Sequence, residues 1–213
     1  MVAGARVGLM ARTRAALEEL TAKLGESSLV LVCDVTDRAS VAAAAIEIRQ
    51  AFGGAPDIIV NNAGVFRASP LHEMTPEDFM TSLNTNLVAP FLILREFLGE
   101  MRQRKSGHVI TIGSIGDRQI FTKNAAYSAS KYGLRAMHEV LRAELRGTGV
   151  RATLVSPTSV DTTLWENINT EDPELGFTPK AKMLDTESVA RAVLFALTEP
   201  AIVNIDELRL SRA

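Results

Sequence analysis

Cysteine is almost absent from this chain. The single one, Cys33, cannot form an internal disulfide, so a reducing compartment is the simpler setting. It stands in an apolar stretch with no cationic neighbour to activate it, which reads as a small buried core residue. Long apolar runs are also missing: none approaches the ~20 residues of a membrane helix. Arg6, Arg12 and Arg14 break up the N-terminal apolar stretches, which argues against a signal peptide. Charge of one sign is not in excess. A net charge of −2 gives no reason to expect nucleic acid or a membrane surface as partner. The three histidines, His72, His108 and His138, are scattered without metal-ligand spacing, so they are expected at surface or strand-edge positions and no metal is expected. A cytoplasmic protein follows from these absences together.

What is present is an ordinary balance, 46% hydrophobic and 23% charged, in 213 residues. That length suits one domain with a full core. Short β-branched runs alternate with longer helical ones, the pattern of an α/β fold with a doubly wound parallel sheet. The expected strands are Ala5 to Ala11, Leu29 to Cys33, Asp57 to Asn61, His108 to Ile112 and Arg151 to Val155, with a final one within Ile202 to Leu210. Helices are expected at Arg14 to Leu24, Asp37 to Ala51, Ala125 to Arg146 and Ser188 to Leu197. One or two more should run from Pro76 to about Arg104, with Pro90 as the interruption. Pro157 to Met183 reads as mostly irregular. There is no internal repeat and no low-complexity linker.

Ligands of open parallel sheets sit beyond the carboxyl ends of the strands. The residues at those ends are Arg12, Asp34, Asn62-Ala63-Gly64, Ser114 and Pro157-Thr158. Small, polar or turn-forming residues therefore fall where a nucleotide would lie.

Tyr127 and Lys131 stand four residues apart at the start of a helix, which puts both side chains on one face. A neighbouring ammonium favours the phenolate and suits general acid–base work on an alcohol or carbonyl. A surface pair is the plain alternative. Ser114, in Ile-Gly-Ser-Ile-Gly, follows a strand, and its hydroxyl could polarise a substrate carbonyl; a turn serine is the plain alternative. Asn61-Asn62-Ala63-Gly64 follows a buried strand and leaves room for a flat ligand, or forms a tight turn.

Together, Asn-Asn-Ala-Gly, Ser114 and, thirteen residues later, Tyr-x-x-x-Lys closely resemble the short-chain dehydrogenase/reductase family, and the match runs over the whole chain. The general look resembles 3-oxoacyl-carrier-protein reductases and small carbonyl or hydroxy-acid reductases. The resemblance implies a Rossmann-like fold and a catalytic set of Asn86, Ser114, Tyr127 and Lys131. Tyr127 would be the general acid/base and Ser114 the carbonyl binder. Lys131 would lower the Tyr127 pKa and hold the nicotinamide ribose, and the Asn86 backbone would hold a water relaying protons to the lysine. It also implies cofactor contacts: Asp34 and Val35 at adenine, Asn62, Ala63 and Gly64 along the ribose side, and Pro157, Val160 and Thr162 at the carboxamide. In that last segment Thr158 stands where the family has glycine. Arg12 occupies the position that meets the adenosine 2′ substituent. With no acidic residue there, NADP(H) is preferred over NAD(H). Trp165 either covers the substrate or simply packs. A homodimer or homotetramer, paired through the helices at Pro90–Arg104 and Ala125–Arg146, is implied as well.

One family feature is missing. No Thr-Gly-x-x-x-Gly-x-Gly loop occurs, and residues 1–5 match the tail of the helix that follows it, so roughly 25 residues of the usual layout, including a central strand, are absent. A chain beginning at Met1 is then expected to be unstable or to re-pair its strands, and Met1 to be an internal methionine of a longer protein. Two functional expectations remain. The first is an NADP(H)-dependent oxidoreductase acting on a small-molecule carbonyl or secondary alcohol. The alternative is a non-catalytic remnant that serves as a binding or interaction module.

Overall fold

The computed structural model describes residues 4–25, 28–166, 168–172 and 175–213. The family match of residues 1–3, and three positions of the irregular segment, lie outside the described residues. Six strands and six helices alternate: β1 (Val7–Ala11), α1 (Arg14–Leu24), β2 (Ser28–Val32), α2 (Arg38–Phe52), β3 (Ile58–Asn61), α3 (Pro76–Leu83), α4 (Ala89–Gln103), β4 (Gly107–Ile112), α5 (Ala125–Leu145), β5 (Val150–Pro157), α6 (Thr186–Thr198) and β6 (Glu207–Leu210). Local signals account for their starts. Asp37 caps α2 by accepting from the backbone N–H of Ala39 and Ser40, Thr75 caps α3 ahead of Pro76, and Asp185 caps α6.

All pairing between these strands is parallel, but it forms two sheets. β1 pairs with β2, while β3, β4, β5 and β6 pair in that order. The expected re-pairing does not occur: among the described residues β1 and β3 stay unpaired with each other. The two sheets hold together through a shared core. Leu31 of β2, Ala45 and Ile48 of α2, and Phe97 and Met101 of α4 cluster with Ile59, Val109 and Ala152 of β3, β4 and β5. On the opposite face Ile110 and Val155 pack under Ala196 of α6, so helices cover both faces of the larger sheet. The cover fails at β3, where Ile58 and Val60 are 41% and 46% exposed beside buried Ile59. Strands of parallel sheets are normally covered on both sides.

The break between α3 and α4 comes earlier than expected. A single wider turn spans Asn84–Val88, with the Ala89 N–H donating to the Asn84 carbonyl. Pro90 has no N–H to offer the carbonyl four residues back, so its effect is felt at Asn86 and not at Pro90 itself. His108 and His138 are also corrected, since both are buried in the core region, while His72 is exposed. Threonines make this tolerable: His108 Nε2 meets Thr153 Oγ1 at 2.8 Å, and His138 Nδ1 meets Thr111 Oγ1 at 2.9 Å. Cys33 is buried as expected, and burial pushes its thiol up. No helix among the described residues is long and apolar enough to cross a membrane.

Candidate active site

The carboxyl ends of β3, β4 and β5 lie side by side, since Asn61 registers with Thr111 and Thr111 with Leu154. The chain leaving β4 turns at once. Ser114 Oγ accepts from the Gly116 N–H at 3.0 Å, closing a short turn over Ile115–Asp117. A Cβ on Gly116 would sit 3.1 Å from Tyr127 Cε1, so glycine is what lets this turn approach the tyrosine. The Ser114 hydroxyl lies close enough to the Tyr127 phenol to favour its ionised form.

Tyr127 lies in the first turn of α5, and Lys131 follows one turn later. The Lys131 ammonium is buried, donates to the Ile112 carbonyl at 2.9 Å, and lies 5.7 Å from the Tyr127 ring centroid. Desolvation governs both groups. Burial pushes the Tyr127 phenol up; the Ser114 hydrogen bond opposes this and the Asp117 carboxylate adds to it. Burial pulls Lys131 down to about 8, with Asp117 resisting. The lowered phenol expected from a neighbouring ammonium is therefore not the net effect in the protein alone.

Asn86 sits behind this pair, fully buried. Its Oδ1 accepts from the Val65 N–H at 2.8 Å, and its Nδ2 donates to the Val65 carbonyl at 3.0 Å and to Ser130 Oγ at 2.9 Å. Ser130 Oγ in turn donates to the Tyr127 carbonyl at 2.7 Å. One amide thus ties the loop after β3 to the first turn of α5.

These elements enclose a cavity of about 600 Å³. Asn62, Ala63, Gly64, Ser114, Tyr127, Lys131, Pro157, Val160 and Thr162 all line it. Thr158, where glycine was expected, stands at a bend just after β5 and donates its N–H to the Leu210 carbonyl at 2.9 Å. Thr162 Oγ1 is buried without a hydrogen-bond partner, in the segment matched to carboxamide binding. An amide-bearing ring would satisfy it, and no acidic side chain is among the described lining residues, which suits a negatively charged cofactor. Arg12, Asp34 and Val35 do not join the cavity; they follow β1 and β2 in the smaller sheet. Asp34 accepts from Thr36 Oγ1 at 2.7 Å and from the Thr36 N–H, and these bonds, with the Arg12 charge, hold its carboxyl below the usual range.

Two groups escaped the sequence reading. Asp117 is fully buried; it accepts from Arg118 Nε at 2.6 Å and from Ser156 Oγ at 3.2 Å, and Arg118 Nη2 reaches Glu207 on β6 at 2.5 Å. An Asp-Arg pair after Ser114 was the available signal, but charge in a loop usually means solvent. The second group is the pair Phe66 and Phe177, which joins Tyr127 to the already noted Trp165. Phe66 lies edge-on to Tyr127 (4.9 Å between centroids), Trp165 (5.1 Å) and Phe177 (5.6 Å).

Fold and site together define an α/β cleft lined by a serine that follows β4 and by a tyrosine and a lysine of α5. Comparison with known proteins places it more closely. The family model described as short chain dehydrogenase matches residues 1–173. The chain belongs to the short-chain dehydrogenase/reductase family, a class of NAD(P)-dependent oxidoreductases. It is 32% identical over 206 residues to an uncharacterized oxidoreductase of Staphylococcus aureus, covering 96% of this chain and 85% of the relative. Serine dehydrogenase from Escherichia coli superposes with a TM-score of 0.85 at 30% identity, over 98% of this chain and 87% of that one. A metagenomic short-chain oxidoreductase in complex with NADP superposes with a TM-score of 0.80 at 31% identity, over 99% and 87%.

Proposed function

We propose that the protein is an NADP(H)-dependent oxidoreductase that interconverts a carbonyl and a secondary alcohol, with Tyr127 exchanging the proton. The observation that carries this reading is that Ser114, Tyr127 and buried Lys131 line one cavity. The nicotinamide, when bound, supplies hydride in reduction and takes it in oxidation. Ser114 holds the substrate oxygen by a hydrogen bond, and the Tyr127 phenol gives that oxygen its proton. A phenol raised by burial stays protonated at neutral pH, the state that reduction needs. Lys131 holds the ribose. The Asn86 carbonyl, deprived of an N–H donor by Pro90, holds a water that leads to Lys131.

Cofactor binding is assigned within the same proposal. Thr162, with Pro157 and Val160, takes the carboxamide; Asn62, Ala63 and Gly64 line the ribose side. Asp34 and Val35 meet the adenine. Arg12, exposed and with no acidic residue beside it in sequence, takes a 2′-phosphate and favours NADP(H) over NAD(H). The metagenomic neighbour in complex with NADP supports this choice. The partner is a small molecule, and the setting cytoplasmic. Exposed Val88, Phe91, Tyr132 and Val140 on or beside α4 and α5 support pairing into a homodimer or homotetramer.

The experiment is a titration of the purified chain with NADPH and NADH, following heat and thermal stabilisation together. Micromolar NADPH binding, weaker NADH binding, and a loss of about 10- to 100-fold in NADPH affinity alone in Arg12→Ala are expected. A second reading, a non-catalytic binding module, is favoured by the division of the described strands into two sheets. Failure to bind either nucleotide by a folded protein supports it.

A further inference from the structure

The chain holds one tryptophan, two tyrosines and eight phenylalanines, and four of these eleven are joined by ring contacts beside the cavity, the reactive tyrosine among them. They are not ordinary core. Phe97 is the one aromatic among the described residues in the fully buried apolar set, whereas Phe66, Tyr127, Trp165 and Phe177 are half-buried and line the cavity. Phe66 leaves the loop after β3, Tyr127 comes from α5, and Trp165 and Phe177 come from the irregular segment after β5. Phe66, Trp165 and Phe177 close a triangle of edge-to-face contacts, with Trp165 and Phe177 5.6 Å apart, and Tyr127 joins it through Phe66. The Trp165 indole N–H is already used, donating to the Val160 carbonyl at 2.9 Å. The ring therefore presents apolar surface to the cavity.

Charge is scarce in the same place. Among the described lining residues Lys131 alone is charged, and its ammonium serves the Ile112 carbonyl and, in the reading above, the cofactor ribose. Cations nearby are engaged elsewhere: Arg67 with Asp78 at 3.0 Å and Lys180 with Asp161 at 3.3 Å. A carboxylate drawn in beside the reacting carbonyl would lose its water and find no counterion. The Escherichia coli relative is named for serine, which carries both a carboxylate and an ammonium. Among the described lining residues neither charge finds a partner that the cofactor leaves free.

We infer that the cleft selects neutral ketones and secondary alcohols bearing an aromatic or similarly flat apolar group, and excludes substrates with a carboxylate at the reacting carbon. Phe66, Trp165 and Phe177 are the specificity determinants. The inference rests on the oxidoreductase reading for its chemistry, but not for its binding, and the two are tested separately.

Because Trp165 is the chain's one tryptophan, its fluorescence reports the cage directly. The first test titrates the cofactor-free protein with 1-phenylethanol and with mandelate, which differ by a methyl and a carboxylate on the same carbon. A saturable fluorescence change with 1-phenylethanol and none with mandelate is expected. The second test compares ethyl benzoylformate with benzoylformate in NADPH oxidation; the ester should exceed the anion by at least about 100-fold in kcat/KM. Phe66→Leu and Phe177→Ala should each raise KM for the ester, with NADPH affinity and thermal stability held. Equal response to mandelate, equal turnover of benzoylformate, or no fluorescence response to either alcohol overturns the inference. A selective response to 1-phenylethanol without reduction of any carbonyl leaves the cage standing and overturns the oxidoreductase reading alone.

Discussion

The side-chain amide of Asn86 is bonded to both backbone groups of Val65, accepting from its N–H at 2.8 Å and donating to its carbonyl at 3.0 Å. A side chain here does what a neighbouring strand would do for an extended residue. The position of the chain just beyond Gly64, and hence one wall of the cleft, depends on a buried residue in the wide turn that Pro90 imposes. Asn86→Ala should leave two backbone groups and Ser130 short of partners, costing about 2–4 kcal/mol. Asn86→Asp should fare no better, since an ionised carboxylate cannot donate to the Val65 carbonyl. Urea unfolding checks this, and an unchanged midpoint in Asn86→Ala would show that the bonds contribute nothing.

Asp117 supplies a second prediction, in the pH profile. Its buried negative charge favours the protonated state of both Tyr127 and Lys131. Alcohol oxidation needs the phenolate, so its rate should rise with pH through the neutral range. Asp117→Asn removes the charge while keeping an acceptor for Arg118, so the rising limb should move to lower pH. Lys131, held near 8, should lose its proton at a still lower pH in the same variant, drawing the alkaline fall of reduction inward. Rate profiles in both directions test this; a purely structural Asp117 would change amplitude without moving either limb.

The buried histidines predict acid sensitivity. Burial pulls His108 and His138 down to about 4, from an ordinary value near 6.5. Between those values the unfolded chain binds protons that the folded one refuses, so stability is full above about 6.5 and falls as pH drops towards 4, by up to about 1.4 kcal/mol per pH unit for each histidine. Unfolding free energies measured across that range should show this slope, and His138→Gln should roughly halve the histidine contribution. A slope unaltered by the substitution would contradict the assignment.

Much of the architecture was legible because local chemistry and tertiary structure agree. Arg14 to Leu24 was bounded by a strand end and a glycine, and the structure keeps those bounds. The grouping of Ser114, Tyr127 and Lys131 followed from helical spacing and from the position of strand ends in parallel sheets. What escaped depended on contacts between distant segments. No periodicity distinguishes a surface histidine from one whose ring finds a threonine on a neighbouring strand, as His108 finds Thr153. Nor does any pattern join Phe66 to Phe177, more than a hundred residues along the chain, until the fold lays Phe177 against the ring that itself meets Tyr127. Pro90 was visible, but its consequence lies at the carbonyl it fails to serve.

The role of Tyr127 is the centre of the account, and replacing its hydroxyl tests it most directly. Tyr127→Phe keeps the ring that Phe66 packs against and removes only the proton donor. NADPH oxidation in the presence of a neutral aryl ketone, compared between the two proteins at matched NADPH occupancy, should fall by about 10²- to 10⁴-fold in kcat/KM, with NADPH affinity and thermal stability unchanged. Equal rates in the two proteins would contradict the account, and the proton would have to come from elsewhere in the cleft.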